Sequence, residues 1–272
     1  MPLLSSADLE NMSAIFRGKA GHSVAETLLR TFNMNKINEL YDRHQDCAGP
    51  EFAAEILHDI GVNPIVTYSV PGIEPIMQGP FITISNHPCG HIDGISLIDI
   101  FGHLRHDYRL MANGILSRIE NLNGNFISVS PIGKMATSPT PTSISGLKTA
   151  MQHLSDGHPL GIFPSGAVSD LKLSKGIIED REWQMATIKL IRKARVPIIP
   201  VRFHDGNSPL YYLLGLIDWK IRLLRLPSEV FNKTGKQFRI TIGNAISVEE
   251  QDIFGNDING FSKFLRSRVY DL

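Results

Sequence analysis

His87 and Asp93 stand at either end of Asn86-His87-Pro88-Cys89-Gly90-His91-Ile92-Asp93, where the apolar run Phe81-Ile82-Thr83-Ile84 closes at Ser85. Imidazole is the side chain best suited to general-base work near neutral pH. A carboxylate bonded to its other ring nitrogen fixes the tautomer and stabilises the imidazolium that forms. Asn86 and Gly90 frame the same turn, and Gly90 lets backbone N–H groups come close enough to a ligand to stabilise a developing oxyanion. Two rival chemistries stay open on the residues alone. His87, His91 and Asp93 could bind a metal, although Pro88 and Gly90 break the helical spacing of a zincin and no His-Glu-x-x-His occurs. Cys89 could act as a nucleophile beside His87, against its commoner fate as a small buried thiol.

Two further apolar runs end in polar turns. Gly161-Ile162-Phe163-Pro164-Ser165-Gly166-Ala167-Val168-Ser169 offers two hydroxyls and a glycine for close approach, but it is not the Gly-x-Ser-x-Gly elbow of serine hydrolases. Val196-Pro197-Ile198-Ile199-Pro200-Val201 leads to Arg202 and His204. Open α/β sheets bind their ligands outside the carboxyl ends of their strands, so three such ends would converge on one crevice.

The elements that must hold these ends are legible as periodicity. Residues 7–62 read as helical, with Val24, Leu28, Leu29 and Phe32 in one group and Phe52, Ile56 and Ile60 in another. From Pro64 onward short β-branched runs take over at 65–70, 81–85, 126–129, 160–163, 198–203 and 238–242, with helical stretches at 95–104, 144–154 and 183–195. Strands alternating with helices predict an α/β fold: a mixed, largely parallel central sheet flanked by helices. The expected division is an N-terminal helical region over 1–62 and an α/β domain over 63–272. Residues 132–145, rich in Ser, Thr, Pro and Gly, read as a mobile loop. No internal repeat is evident.

Composition sets the outer bounds. Over 272 residues, 42% are hydrophobic and 20% charged, which excludes disordered, collagenous and disulfide-scaffold classes. Twenty-seven basic residues balance 27 acidic ones, against a nucleic-acid partner. Two cysteines suit a reducing cytoplasm. Asp8 and Glu10 precede any basic residue, so no signal peptide is expected, and no apolar run is long enough for a membrane span. The chain is expected in the cytoplasm, soluble or on a membrane surface. The charges are unevenly spread, with five basic and ten acidic residues over 1–80 but eleven basic and five acidic over 171–225. Lys189, Arg192 and Lys193 recur at helical spacing and, with Arg202, make a candidate anion- or carrier-binding face, against the plainer reading of the basic stretch as solvated helix faces, which the charge count alone favours. Tyr211 to Arg225 mixes aromatics, leucines and cations, as does an interfacial element or a core helix with a basic edge.

In order and content these blocks resemble the lysophospholipid acyltransferase superfamily, and within it the bacterial hemolysin-like and ornithine-lipid O-acyltransferase branch. The branch pattern Asn-His-Pro-x-Gly-Gly-x-Asp-Gly aligns with Asn86 to Gly94, with five residues between His87 and Asp93 where most of the superfamily has four. Gly124 to Val129 resembles the second block without the arginine common in phosphatidate-forming members. Phe163 to Ser169 resembles the third, with Ser165 where many members carry glutamate, and Val196 to Val201 the fourth. The resemblance spans roughly residues 35–248. It implies an O-acyltransferase that moves a fatty acyl group from a thioester, on acyl carrier protein or coenzyme A, to a hydroxyl of a lysolipid at a membrane surface. No cofactor or metal is implied. His87 would take the proton, Asp93 would orient it, and loop amides near Asn86 and Gly90 would hold the oxyanion. Phe163, Pro164, Ser165, Gly166 and Ser169 would bind the acceptor. The missing arginine and glutamate point from a glycerol phosphate towards an amino-acid lipid. A thioesterase or lipid hydrolase using the same His87, and a lipid-binding protein with an inactive site, are the alternatives.

Overall fold

The computed structural model describes residues 5–12, 16–69, 78–113, 119–129, 141–217 and 219–272. Helices α1 (Ser6–Met12), α2 (Gly18–Thr31), α3 (Met34–Arg43) and α4 (Gly49–Asp59) precede the first strand, as the periodicity predicts. The buried stripe on α2 is Gly21, Ala25 and Leu29, of which the first two are small enough to let the helix approach closely, while Val24 turns to solvent. These helices do not stand apart from the rest. Leu29, Ile37, Leu40, Phe52 and Ile56 share one apolar core with Phe101, Val201 and Ile240 of the α/β part.

The chain continues through β1 (Pro64–Tyr68), β2 (Ile82–Ser85), α5 (His91–Leu104), β3 (Arg109–Asn113), a 3₁₀ turn (Glu120–Asn125), β4 (Phe126–Val129), α6 (Pro141–Ser155) and β5 (Leu160–Ile162). A short hairpin of β6 (Asp170–Lys172) and β7 (Ile177–Glu179) follows. Then come α7 (Met185–Ala194), β8 (Ile198–Phe203), α8 (Pro209–Ile217), α9 (Trp219–Phe231), β9 (Phe238–Ile242), α10 (Val248–Asp252) and α11 (Ile258–Tyr270). Of the expected loop at 132–145, residues 141–145 instead open α6, and 132–140 lie outside the described residues, as does Val70 at the end of the first expected strand.

Seven strands form one sheet in the order β1-β9-β8-β2-β5-β3-β4. Every neighbouring pair is parallel except β8 with β9, so the sheet is mixed and largely parallel. Buried on both faces, central strands read as continuous apolar runs. Alternation still assigns their sides: Ile82, Ile84 and Ile198 pack towards α7 and α11, whereas Ile199, Val201 and Phe203 pack towards the core of the N-terminal helices and α5. The pairing of Ile84 with Ile162 and of Ser85 with Val201 brings the carboxyl ends of β5, β2 and β8 side by side.

Candidate active site

The turn after β2 closes on a single carboxylate. Asp93, fully buried in the first turn of α5, uses Oδ2 to accept the Cys89 N–H at 2.8 Å, the Gly90 N–H at 3.0 Å and His87 Nδ1 at 3.0 Å. Gly90, the residue before the helix, has φ +76°, and a Cβ there would meet Leu226 at 3.0 Å, so both backbone and space require glycine. With Nδ1–H donated to the carboxylate, Nε2 of the partly exposed imidazole keeps its lone pair for a substrate proton. The His87 ring stacks on Phe163 from the end of β5, with centroids 3.8 Å apart and planes 25° from parallel.

Asp180 is the residue of this candidate site that sequence reasoning missed. Its buried carboxylate accepts the His87 backbone N–H at 3.1 Å, Ser169 Oγ–H at 2.6 Å and Trp183 Nε1–H at 3.3 Å. Ser169 N–H in turn donates to His87 O at 2.9 Å. The Asp180 main chain is itself held, with its N–H on Tyr270 Oη and its carbonyl accepting from Arg266. Burial pushes the Asp180 carboxyl above the usual carboxylate range. Arg222 on α9, also buried, donates to the carbonyls of Ser169 and Val168 and to Asp170 Oδ1. Asp180 lies in a run of charges, Glu179-Asp180-Arg181-Glu182, that reads as solvated. Only the neighbouring Trp183 hinted at burial.

Several expected roles change in place. Asn86, read as an oxyanion donor, commits its amide to β8: Nδ2 donates to Phe203 O and Oδ1 accepts Phe203 N–H, both at 2.8 Å. The Gly90 N–H is committed to Asp93. Ser165 and Ser169, read as binding the acceptor, are buried, with Ser165 Oγ donating to Ala167 O and Ser169 Oγ to Asp180. Pro164 is buried and its carbonyl accepts Gln184 N–H, while the exposed Gly166 turns at φ +65° against the Gln184 side chain. The Phe163–Ser169 block touches the histidine through Phe163 and Ser169, and its two buried hydroxyls are hydrogen-bonded within the protein.

The basic residues are not gathered at His87. Arg192 bonds the carbonyls of Gln251 and Gly255, and Arg202 bonds Tyr270 O. Lys189 and Lys193 are exposed on α7, whose last turn precedes the amino end of β8, at the end of the strands opposite His87. Nor do the rival chemistries find support. Cys89 is buried, donates Sγ–H to Asp205 O, and its thiol is pushed well above its ordinary range by burial. His91 is pushed down to about 4 by burial and by the neighbouring His87. Among the described residues no three His, Cys, Asp or Glu side chains are placed to hold a metal ion.

Residues 9–272 match the family described as Acyltransferase. This chain belongs to the acyltransferase family. A lyso-glycine lipid O-acyltransferase of Bacteroides thetaiotaomicron is 26% identical over 82% of this chain and 80% of its own length. A second protein of that name, from Phocaeicola vulgatus, is 26% identical over 75% of this chain and 72% of its own. The crystal structure of the 1-acyl-sn-glycerophosphate (LPA) acyltransferase from Thermotoga maritima covers 81% of this chain at 14% identity, with a TM-score of 0.44. The likeness to the lysophospholipid acyltransferase superfamily read from the motif blocks holds, and the acyltransferase is an enzyme of lipid metabolism. Among its described residues no helix is long and apolar enough to cross a membrane.

Proposed function

We propose that this acyltransferase carries a fatty acyl group from a thioester to a hydroxyl of a lysolipid, and that the acceptor is an amino-acid lipid such as a lyso-glycine lipid. The observation that carries the reading is His87 held by Asp93 at 3.0 Å with no bond to its second nitrogen among the described residues. The printed names of the two relatives support the acceptor class.

In the proposed reaction His87 Nε2 removes the acceptor's hydroxyl proton as the oxygen attacks the thioester carbonyl carbon. Asp93 keeps Nδ1–H in place and balances the imidazolium. The tetrahedral intermediate collapses, the C–S bond breaks, and the proton on Nε2 passes to the leaving thiolate. No covalent enzyme intermediate and no resident cofactor or metal is required, because the acyl thioester is the co-substrate. The N–H groups of His91 and Ile92, at the start of α5, lie among those that a helix leaves without internal acceptors, and they replace Asn86 and Gly90 as candidate oxyanion donors. The carrier is acyl carrier protein or coenzyme A, and the proposed place of work is the inner face of the cytoplasmic membrane.

Mass spectrometry of lipid products tests this directly. With an acyl thioester and lyso-glycine lipid, the wild type should yield the diacyl product, and His87→Ala should lower its formation by about 10²–10⁴-fold, the usual worth of a general base. Release of free fatty acid alone would show a hydrolase instead. Acylation of lysophosphatidic acid alone would remove the amino-acid acceptor.

A further inference from the structure

We propose that the β6–β7 hairpin and the outer faces of α8 and α9 form a surface that docks on an anionic lipid bilayer, next to the catalytic turn. Helix α8, Pro-Leu-Tyr-Tyr-Leu-Leu-Gly-Leu-Ile, contains no charged residue. Tyr211 and Tyr212 fill its inner side, yet Leu210, Leu213 and Ile217 recur at three- and four-residue intervals on its outer side, and Ile217 is 76% exposed. A helix apolar all round belongs in a core or in lipid, and this one is only half covered by protein. It packs on both α9 and β6. The patch therefore continues onto Leu223 of α9 and onto the hairpin, where Leu173 in the turn is 70% exposed and Ile178 reaches the chain at Gly206 just ahead of α8. A continuous apolar surface of this kind marks a protein or membrane contact.

The charges favour the bilayer over an acidic protein. Arg181 and Arg222 are tied to Asp170, and Arg225 to Glu229, so among the described residues few cations are left here to pair with a carrier. Lys172 has no ionic partner among the described residues, and Lys175, paired with Glu179 at 3.4 Å along the hairpin, keeps its side chain largely exposed. Two lysines on a hairpin flanked by aliphatic groups suit anionic headgroups above an acyl region. The hairpin is also rooted at the site. β6 begins one residue after Ser169 and β7 ends one residue before Asp180, and these two residues grip the His87 main chain from both sides. Docking by this face would thus bring the imidazole to the lipid surface.

The proposal rests on the lysolipid reading for its purpose, but binding can be read without turnover. The full chain is sedimented with vesicles of phosphatidylglycerol and phosphatidylethanolamine, and with phosphatidylcholine alone. The wild type should bind the anionic vesicles. Leu173→Glu and Ile217→Glu, both at exposed positions and with unchanged melting temperature, should each weaken binding by about tenfold or more, as expected when buried apolar area is replaced by a charge. Lys172→Gln with Lys175→Gln should erase the preference for anionic lipid. Activity on detergent-dispersed lysolipid should persist in all of them and fall on vesicle-embedded lysolipid. The idea fails if the wild type stays in the supernatant with every vesicle, or if the Glu variants sediment as it does. It fails equally if sedimentation velocity shows a wild-type dimer that these variants split, for then a second copy covers the face. Vesicle binding lost in the variants, with no acyl product from any lysolipid, would keep the docking surface and discard the acyl-transfer reading.

Discussion

Three donors converge on one oxygen of Asp93, and two of them are main-chain amides of the turn after β2. Asp93→Asn would present either an oxygen without its charge or an amide group that repels those N–H donors. It should therefore lower both turnover and stability, the latter by about 1–3 kcal/mol as for a buried group that loses its partners. Urea unfolding beside initial rates would separate the two losses. Asp180→Asn faces the same arithmetic with Ser169, Trp183 and the His87 N–H, and should reduce kcat far more than it raises KM, because Asp180 holds the histidine's main chain and not its proton. His91 supplies a pH effect. Its neutral form is favoured in the fold down to about 4, whereas an unfolded chain takes up that proton near 6.5. The unfolded state then holds more protons between those values, so stability should fall as pH drops through that window and level off below it. His91→Gln should flatten the difference in urea midpoint between pH 7 and pH 5. At this scale the sequence showed His87 and Asp93 because six residues of tight turn limit where their side chains can go. It could not show Asp180, which reaches His87 across 93 residues of chain.

Strands β2, β8 and β9 were readable because β-branched residues crowd them, and β8 matches its expected bounds of 198–203. β3 was not. Arg-Leu-Met-Ala-Asn holds no β-branched residue and becomes a strand by lying between β5 and β4, a tertiary override of propensity. The three-residue strands of the hairpin were too short to carry a period. A similar limit applies to Gly161 in β5, where a Cβ would stand 2.0 Å from Tyr108 Oη, itself bonded to Thr83 Oγ1 at 2.7 Å in the neighbouring strand. Gly161→Ala should cost about 1–3 kcal/mol by overpacking, read as a lowered melting temperature, and should displace Phe163 two residues on and so slow turnover. Nothing in the local pattern around Gly161 announces a tyrosine from the turn ahead of β3.

Across the whole molecule, the chain's balance of 27 basic and 27 acidic residues hides a division of labour. The six arginines of the basic stretch over 171–225 are consumed in bonds within the fold while Lys175, Lys189 and Lys193 stay exposed, a split between arginine and lysine that the charge count could not show. The N-terminal helices likewise read as a separate region, but α4 lies along α5, the helix that carries Asp93, and Phe52 and Ile56 complete its packing. A fragment of residues 63–272 alone should expose that apolar face and fail to give a cooperative thermal transition, as circular dichroism would show. The far end of the chain has a comparable hold. Tyr270 accepts the Asp180 N–H, its carbonyl anchors Arg202, and Arg266 bonds the carbonyls of Asp180 and Arg181. A nonsense allele that stops translation after Leu265 would remove both Arg266 and Tyr270, and a genetic screen should score it with the His87 missense alleles and not among silent tail deletions.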